Sequence, residues 1–421
     1  MRVFSGESPT ALYYNAFNTI LTDGWEVAPR GKKVKELLGA AVEFQNPLNR
    51  VTFLGGRRVN PFFQIAESLW ILSGRADVAW LLKFNANMGQ FSDDGIWFNA
   101  PYGERIRTWN KNSAHDIIIN PIDQMQDAFL KMSADHDTRQ ATIIISNPMF
   151  DNSRYTIGEK GKDIACNLAI TFKIRFGKLY MMVMNRSNDL HWGLMGANLC
   201  QFSTIQETMA AWLGVEVGSY TQVTDSLHIY TDDYGFKCTQ DVQEYYELHE
   251  HSREGINDLN FVCHDEPRMD MTKEQFDKFL GLFWGTINEY LMSDDFIDSD
   301  EVPNIIKYID TCADPDQSET YIDPYWRYGL KSMFAYRMVK QGHTLAALEK
   351  VISTLPACQW KVSQLYFLQS FINKLPDDER DKANDLYYAQ VENIEENLIV
   401  QTDDNVGYLN EYLLGAVEGV C

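Results

Sequence analysis

The sequence has no stretch of 18 uncharged apolar residues and no CxxC pair, and it is short of basic residues, with 37 Lys and Arg against 59 Asp and Glu. Each shortage excludes something. Without a long apolar run there is no candidate membrane-spanning helix, and the opening MRVFSGESPTALYYNAF lacks the basic and apolar regions of a secretory signal. A formal charge of -22 argues against broad contact with a nucleic-acid backbone, because such contact needs Lys and Arg patches to neutralise phosphates. Any nucleotide handled here is expected free, not polymeric. Seven cysteines, odd in number and without close pairing, suggest neither a disulfide framework nor zinc, and a reducing cytoplasm fits best.

What is present is core-forming material. The 421 residues are 45% hydrophobic and 13% aromatic, enough for one large domain and a smaller one. From Pro61 to Ser73 the residues Phe62, Ile65, Ala66, Leu69, Trp70 and Leu72 recur at helical spacing, and Gly74 is a plausible stop. The run ATIIIS at 141–146 has the composition of a strand buried on both faces. Leu168, Ile170, Phe172, Ile174 and Phe176 alternate with more polar residues, and Gly177-Lys178 separates them from LYMMVMN, which predicts a hairpin. A helical stripe of Phe202, Ile205, Met209, Trp212 and Leu213 stops at Gly214, and VEVGSYTQVTDSLHIY reads as extended. Beyond about Pro267 four segments carry helix-period apolar residues: EQFDKFLGLFWGTINEYL, PYWRYGLKSMFAYRMVK, TLAALEKVISTL and WKVSQLYFLQSFINKL. The reading is an α+β part over 1–266 followed by a helical region over 267–421. The acidic SDDFIDSDEVP lacks the residue order of a calcium loop, and His249, His251, Cys263 and His264 match no zinc spacing, so both are read as structural.

Three places carry candidate chemistry. Glu67 sits among apolar residues in IAESLWIL, where lost hydration raises a carboxyl pKa and suits proton handling; alone, it reads first as a structural Glu, paired with a buried Arg or exposed on the helix's narrow polar side, and only its company gives it a chemical role. Arg139 in DTRQAT and Arg186 with Ser187 in NRSND stand at predicted strand ends, and two guanidinium groups with a hydroxyl can hold a phosphate. Cys166 in DIACNLAITF lies just before the hairpin's first strand, where a neighbouring Arg is expected to lower its pKa and increase its thiolate.

In order along the chain come PRG at 29–31, AESLWILSG at 66–74, APYGERIR at 100–107, DTRQA at 137–141, AC before the hairpin, RSNDLHWGLMGAN at 186–198 and SLHIY at 226–230. This ordered set resembles the thymidylate synthase superfamily, which includes thymidylate synthases and the deoxynucleotide hydroxymethylases common in phages. The resemblance covers about residues 10 to 235 and implies a thymidylate synthase-like mixed sheet with packed helices. It implies that Cys166 adds to carbon 6 of a pyrimidine, so that carbon 5 attacks the one-carbon group of 5,10-methylenetetrahydrofolate. By the same resemblance Glu67 organises proton transfers, Tyr102 is an active-site tyrosine, and Arg30, Arg139, Arg186 and Ser187 bind the phosphate. Asp189 contacts base and folate, and His228 and Tyr230 grip the sugar hydroxyl. Asn198 corresponds to the amide facing the pyrimidine edge, reached by one extra residue after Gly193. The DTR-type arginine crosses from a neighbouring subunit in this family, which implies a homodimer with shared sites.

Three departures stand out: Asn167 replaces a histidine, Gln140 replaces a second arginine, and GLMGAN replaces a Leu-Pro-Phe-Asn turn. The segment MGQFSDDGIWFNAP before Tyr102 also differs from the tryptophan-containing stretch with which synthases shield the exocyclic methylene from water. If water reaches that carbon before hydride, the product is hydroxymethyl. The expected reaction is therefore hydroxymethylation of a deoxypyrimidine monophosphate, dUMP ahead of dCMP. A thymidylate synthase and a catalytically silent dimeric scaffold are the alternatives.

Overall fold

The computed structural model describes residues 1–53, 57, 59–151, 161–232, 235–248, 262–263, 266–294, 301–317, 319–343, 345–372, 375, 377–396 and 398–399. His249, His251 and His264 lie outside them, as do residues 295–300 of the acidic segment. Among the described residues no helix is long and apolar enough to cross a membrane.

An eight-stranded mixed sheet organises the first half of the chain. Its strands are β1 (Arg2–Gly6), β2 (Trp25–Val27), β3 (Val34–Phe44), β4 (Thr142–Ile144), β5 (Asn167–Arg175), β6 (Lys178–Asn185), β7 (Asn188–Asp189) and β8 (Glu216–Tyr230). The spatial order is β1-β3-β8-β6-β5-β4, with β2 on β3 and β7 on β8. β1 runs parallel to β3 and β8 runs parallel to β6, whereas β3–β8, β5–β6 and β4–β5 are antiparallel. The architecture is α+β, as the sequence predicts. Two details differ. β4 is an edge strand of three residues with Ile143 buried and Ile144 exposed, because only one face of the sheet is covered there. The β5–β6 turn is Phe176-Gly177, with φ of 52° and 73°; both central residues take the left-handed values of a tight hairpin, and Phe176 is 98% exposed.

Alternation along the strands separates two faces. Ile170, Phe172 and Ile174 of β5, Leu179, Met181 and Val183 of β6, and Tyr220 of β8 point into the core. On the other side Ile144, Met182 and Met184 stand exposed along neighbouring rows.

The inner face is covered by helices, among them α1 (Pro9–Asp23), α2 (Pro61–Leu72), α3 (Tyr102–Arg107), α4 (Gln124–Ala134) and α5 (Leu199–Leu213). α2 starts where the Asn60 side chain caps the Phe63 amide and Pro61 supplies a preset first turn; it ends before Gly74 at φ 70°. α5 stops at Gly214 in the left-handed conformation. All twelve residues of α2 are buried, which a helix on a sheet surface does not achieve without a second layer. That layer is C-terminal. Within α6 (Pro324–Lys340), Tyr336 stacks on Phe62 at 5.2 Å between ring centroids, and Gly329 lies so close to Ile65 that an added Cβ would sit 3.0 Å from its methyl. α7 (Gln359–Ile372) adds Phe367 against the same Phe62 ring at 6.0 Å.

A buried ion pair ties these layers together. Arg50 pairs with Glu207 of α5, its guanidinium lies 5.2 Å from the Tyr325 ring of α6, and the other Glu207 oxygen accepts from the Met269 amide at 3.1 Å. Removing one member of such a pair strands the other charge without water. Arg50→Ala is expected to lower the unfolding free energy by about 3–5 kcal/mol in urea titrations, and Arg50→Met combined with Glu207→Leu to recover most of it.

Candidate active site

The hairpin brings its two ends together. Asn167 pairs with Asn185, the Arg186 amide donates to the Cys166 carbonyl at 3.0 Å, and the Arg186 side chain reaches back over the same corner. Its Nε donates to the Ala165 carbonyl at 2.9 Å and its Nη2 to the Ile164 carbonyl at 3.1 Å, leaving Nη2 3.6 Å from the Cys166 Sγ. Tyr102, the first residue of α3, accepts the Asn167 amide proton at 3.4 Å beside the thiol. Arg30 occupies a left-handed turn, at φ 55°, beyond β2; it is exposed and its charge also acts on Cys166.

The thiol differs from its expectation. Burial pushes the Cys166 pKa above the usual value, and the nearby Asp163 and Asp189 add to this; Arg186 and Arg30 oppose it without winning. Asp163 is itself raised to about 6 by burial, with its Oδ2 accepting the Ala100 amide at 2.8 Å. An arginine beside a cysteine lowers its pKa only where hydration of the thiolate is not lost at the same time.

α2 carries Glu67. Burial pushes its carboxyl up to about 7, a hydrogen bond to the Gln201 side chain opposes this, and Oε2 has no hydrogen-bond partner. The sheet side supplies the remaining residues. Asp189 pairs with His228 between β7 and β8, and the His228 ring meets Tyr230 edge-on at 5.4 Å. Ser187 is half-buried between Arg186 and β7. Arg139 stands apart from this group: it is exposed, and its charge is felt by Lys173 of β5, not by Cys166.

Between Asp189 and α5 the chain makes a π-helical turn, Leu190–Asn198, closed by the Leu199 amide bonding to the Leu194 carbonyl five residues back. A π turn holds one residue more than an α turn needs. Asn198 ends the turn buried, with its carbonyl accepting the Tyr220 hydroxyl at 3.4 Å. At the turn's outer side Trp192 is 44% exposed and stacks on Phe63 of α2, 6.1 Å between centroids.

Several further residues support the site without having been singled out as candidates. His191 is held by Tyr13 at Nδ1 and by Thr239 at Nε2, 3.0 Å, while the Thr239 hydroxyl gives its proton to the Tyr230 carbonyl at 2.8 Å. That leaves Nε2 as donor and Nδ1 as acceptor, a neutral ring, and burial pushes its pKa down to about 4. Arg57 donates to the His191 carbonyl. Asn185, Asn188 and Gln222 form a buried amide cluster with Asn167 and Asn198. Gln222 was legible only as a polar residue at an inward position of a strand, and the long separation of the partners hid the rest.

A buried thiol at a sheet end with cations beside it can serve as a nucleophile, and the buried carboxyl of Glu67 can hold a proton. Comparison with known sequences defines the protein's class. The thymidylate synthase family profile matches residues 11–280, and the chain belongs to that family. It is 46% identical over 390 residues to the deoxyuridylate hydroxymethyltransferase of Bacillus phage SP01, covering 90% of this chain and 98% of that protein. The deoxyuridylate hydroxymethyltransferase of Pseudomonas phage M6 is 37% identical over 190 residues, 45% of this chain and half of that one. A thymidylate synthase of Corynebacterium aurimucosum is 25% identical over 259 residues, 59% of this chain and 90% of its own.

Glu67 gives a pH test. Its folded pKa of about 7 exceeds the 4.5 of an ordinary glutamate, so the folded state holds the proton more tightly and stability is lost as pH rises from 4.5 through 7. Glu67→Gln removes that loss. Its advantage over wild type in unfolding free energy is expected to grow by up to about 3 kcal/mol between pH 5 and pH 8, and a constant difference would contradict a buried, unpaired carboxyl.

Proposed function

We propose that this protein transfers a hydroxymethyl group to carbon 5 of dUMP, using a folate one-carbon donor and Cys166 as nucleophile. The observation that carries the reading is the extent of the similarity to the phage SP01 hydroxymethyltransferase. At 390 residues it runs past the family match ending at residue 280 and into the C-terminal helices, whereas the match to the bacterial synthase spans 259.

In this reading Arg30 and Arg186 take the phosphate with Ser187, and His228 and Tyr230 hold the sugar hydroxyl. Cys166 Sγ forms a bond to carbon 6 as its proton leaves, and the carbon 5–carbon 6 electron pair makes carbon 5 nucleophilic. Arg186, 3.6 Å from the sulfur, stabilises the thiolate that must form. Because burial holds the free thiol protonated, the thiolate forms with substrate in place and is not standing in the empty site. Glu67, whose carboxyl burial raises to about 7, takes and returns protons at the base. Tyr102 and Asp189 position the base, and Asn198 faces its edge. 5,10-Methylenetetrahydrofolate supplies the one-carbon unit, and the exposed ring of Trp192, backed by the buried Phe63, suits its flat rings. The wall formed by 88–101 admits water to the new exocyclic carbon, giving hydroxymethyl in place of methyl.

The exposed apolar rows of the outer sheet face, with Ile144, Met182 and Met184, support a homodimer joined through that face. Arg139, on the Lys173 side of the sheet, then serves the partner's phosphate site. We assign the catalytic unit to residues 1–266 and the helical extension to 267–421, acting in the cytoplasm on a free nucleotide.

Incubation with methylenetetrahydrofolate and dUMP is expected to yield 5-hydroxymethyl-dUMP by mass spectrometry, abolished in Cys166→Ala. A methyl product would make the protein a synthase, and no product with any deoxypyrimidine monophosphate would refute the reading. Mixing the inactive Arg139→Ala and Cys166→Ala proteins under subunit exchange is expected to restore about a quarter of wild-type activity, since half the dimers then hold one complete site. No recovery would place Arg139 in its own subunit's site or outside any.

A further inference from the structure

We infer that Gln222 determines which base the site accepts, by fixing the direction of the Asn198 amide. This rests on the proposed role of Asn198 at the pyrimidine edge. Gln222 has no solvent exposure and lies on β8 opposite Val183 of β6, two positions from the row of Asn185. Its Oε1 accepts from three amides: Asn188 Nδ2 at 2.8 Å, Asn185 Nδ2 at 3.2 Å and Asn198 Nδ2 at 3.5 Å. That convergence sets the cluster's polarity. A flipped Gln222 would aim an NH2 group at three NH2 groups, with no acceptor among them.

The polarity then passes outward. Asn188, with its Nδ2 committed to Gln222, must turn Oδ1 elsewhere, and that oxygen accepts from Asn198 Nδ2 at 3.2 Å. Asn185 is fixed in the same sense, because its Oδ1 accepts from Asn167 Nδ2. Asn198 Nδ2 is therefore held towards Asn188 and Gln222. What Asn198 has left to offer is Oδ1, which accepts no hydrogen bond from the protein among the described residues.

An amide that shows only its acceptor reads one feature of a pyrimidine. Uracil carries a proton on N3 and can donate to it. Cytosine carries a lone pair there, so two acceptors would face one another. An asparagine free to turn over could serve either base. Gln222 acts through Asn198 and is a positioning residue. The cluster's loose ends, Gln222 Nε2 and Asn167 Oδ1, are buried without partners. The three-way acceptor is thus the part of Gln222 that the cluster uses, and glutamate retains it.

The test measures binding of dUMP and dCMP by calorimetry in the Cys166→Ala background, with thermal unfolding as the folding control. Gln222→Met is expected to reduce the dUMP-over-dCMP preference by about tenfold or more, and Gln222→Glu to keep it within about threefold. Asn188→Leu, which cuts one of the two anchors of Asn198, is expected to act like Gln222→Met and decides the question should that variant not fold. An unchanged preference in folded Gln222→Met or Asn188→Leu overturns the inference, as does an equal loss in Gln222→Met and Gln222→Glu. If wild-type protein hydroxymethylates dUMP yet Cys166→Ala binds both nucleotides alike, the inference fails while the activity stands. If neither nucleotide binds, both fail.

Discussion

The pairing of Asn167 with Asn185 across β5 and β6 is the constraint on which the site depends. It joins the residue after the thiol to the residue before Arg186, so that a guanidinium and a thiol 20 positions apart share one corner. Side chains alternate along a strand with a period of two, so a slip of one residue would turn Asn167, Asn185 and the apolar rows beneath them to the open face. The short turn at Phe176-Gly177 and the inward rows of Ile170, Phe172, Leu179 and Met181 oppose that slip. Parallel pairing of β6 with β8 then adds Gln222 to the same face.

The covering of α2 reaches into the C-terminal part of the chain. α2 would present one side to water if the chain ended with the family match; α6 and α7 close that side with Tyr336, Gly329 and Phe367. Glu67 lies on the other side of the helix, near Phe63 and its Trp192 partner, and burial there raises its carboxyl to about 7.

Much of this was legible in the sequence because the signals are local. Helical spacing marked α2 and α5, alternation marked the hairpin, and Asn60-Pro61 and Gly214 act as caps through their own backbone and side chains. Where the reading went astray, the missing information was tertiary. Nothing in ATIIIS says that β4 lies at an edge with one face open. Proximity of Arg186 to Cys166 was foreseeable, but the sign of the thiol's shift depends on how much water the fold removes. The amide cluster draws on residues from 167 to 222, and no spacing rule connects them.

The π turn at Leu190–Asn198 has a further consequence. One residue of an α-helix corresponds to about 100° of rotation, so an insertion before α5 would ordinarily swing every side chain of that helix off its contacts. Here the π turn takes up its additional residue before Leu199, and Phe202, Ile205 and Met209 point inward. A turn of this kind can change length by one unit without re-indexing the core behind it. A chain built this way has a point where its surface can be remodelled while its packing stays intact.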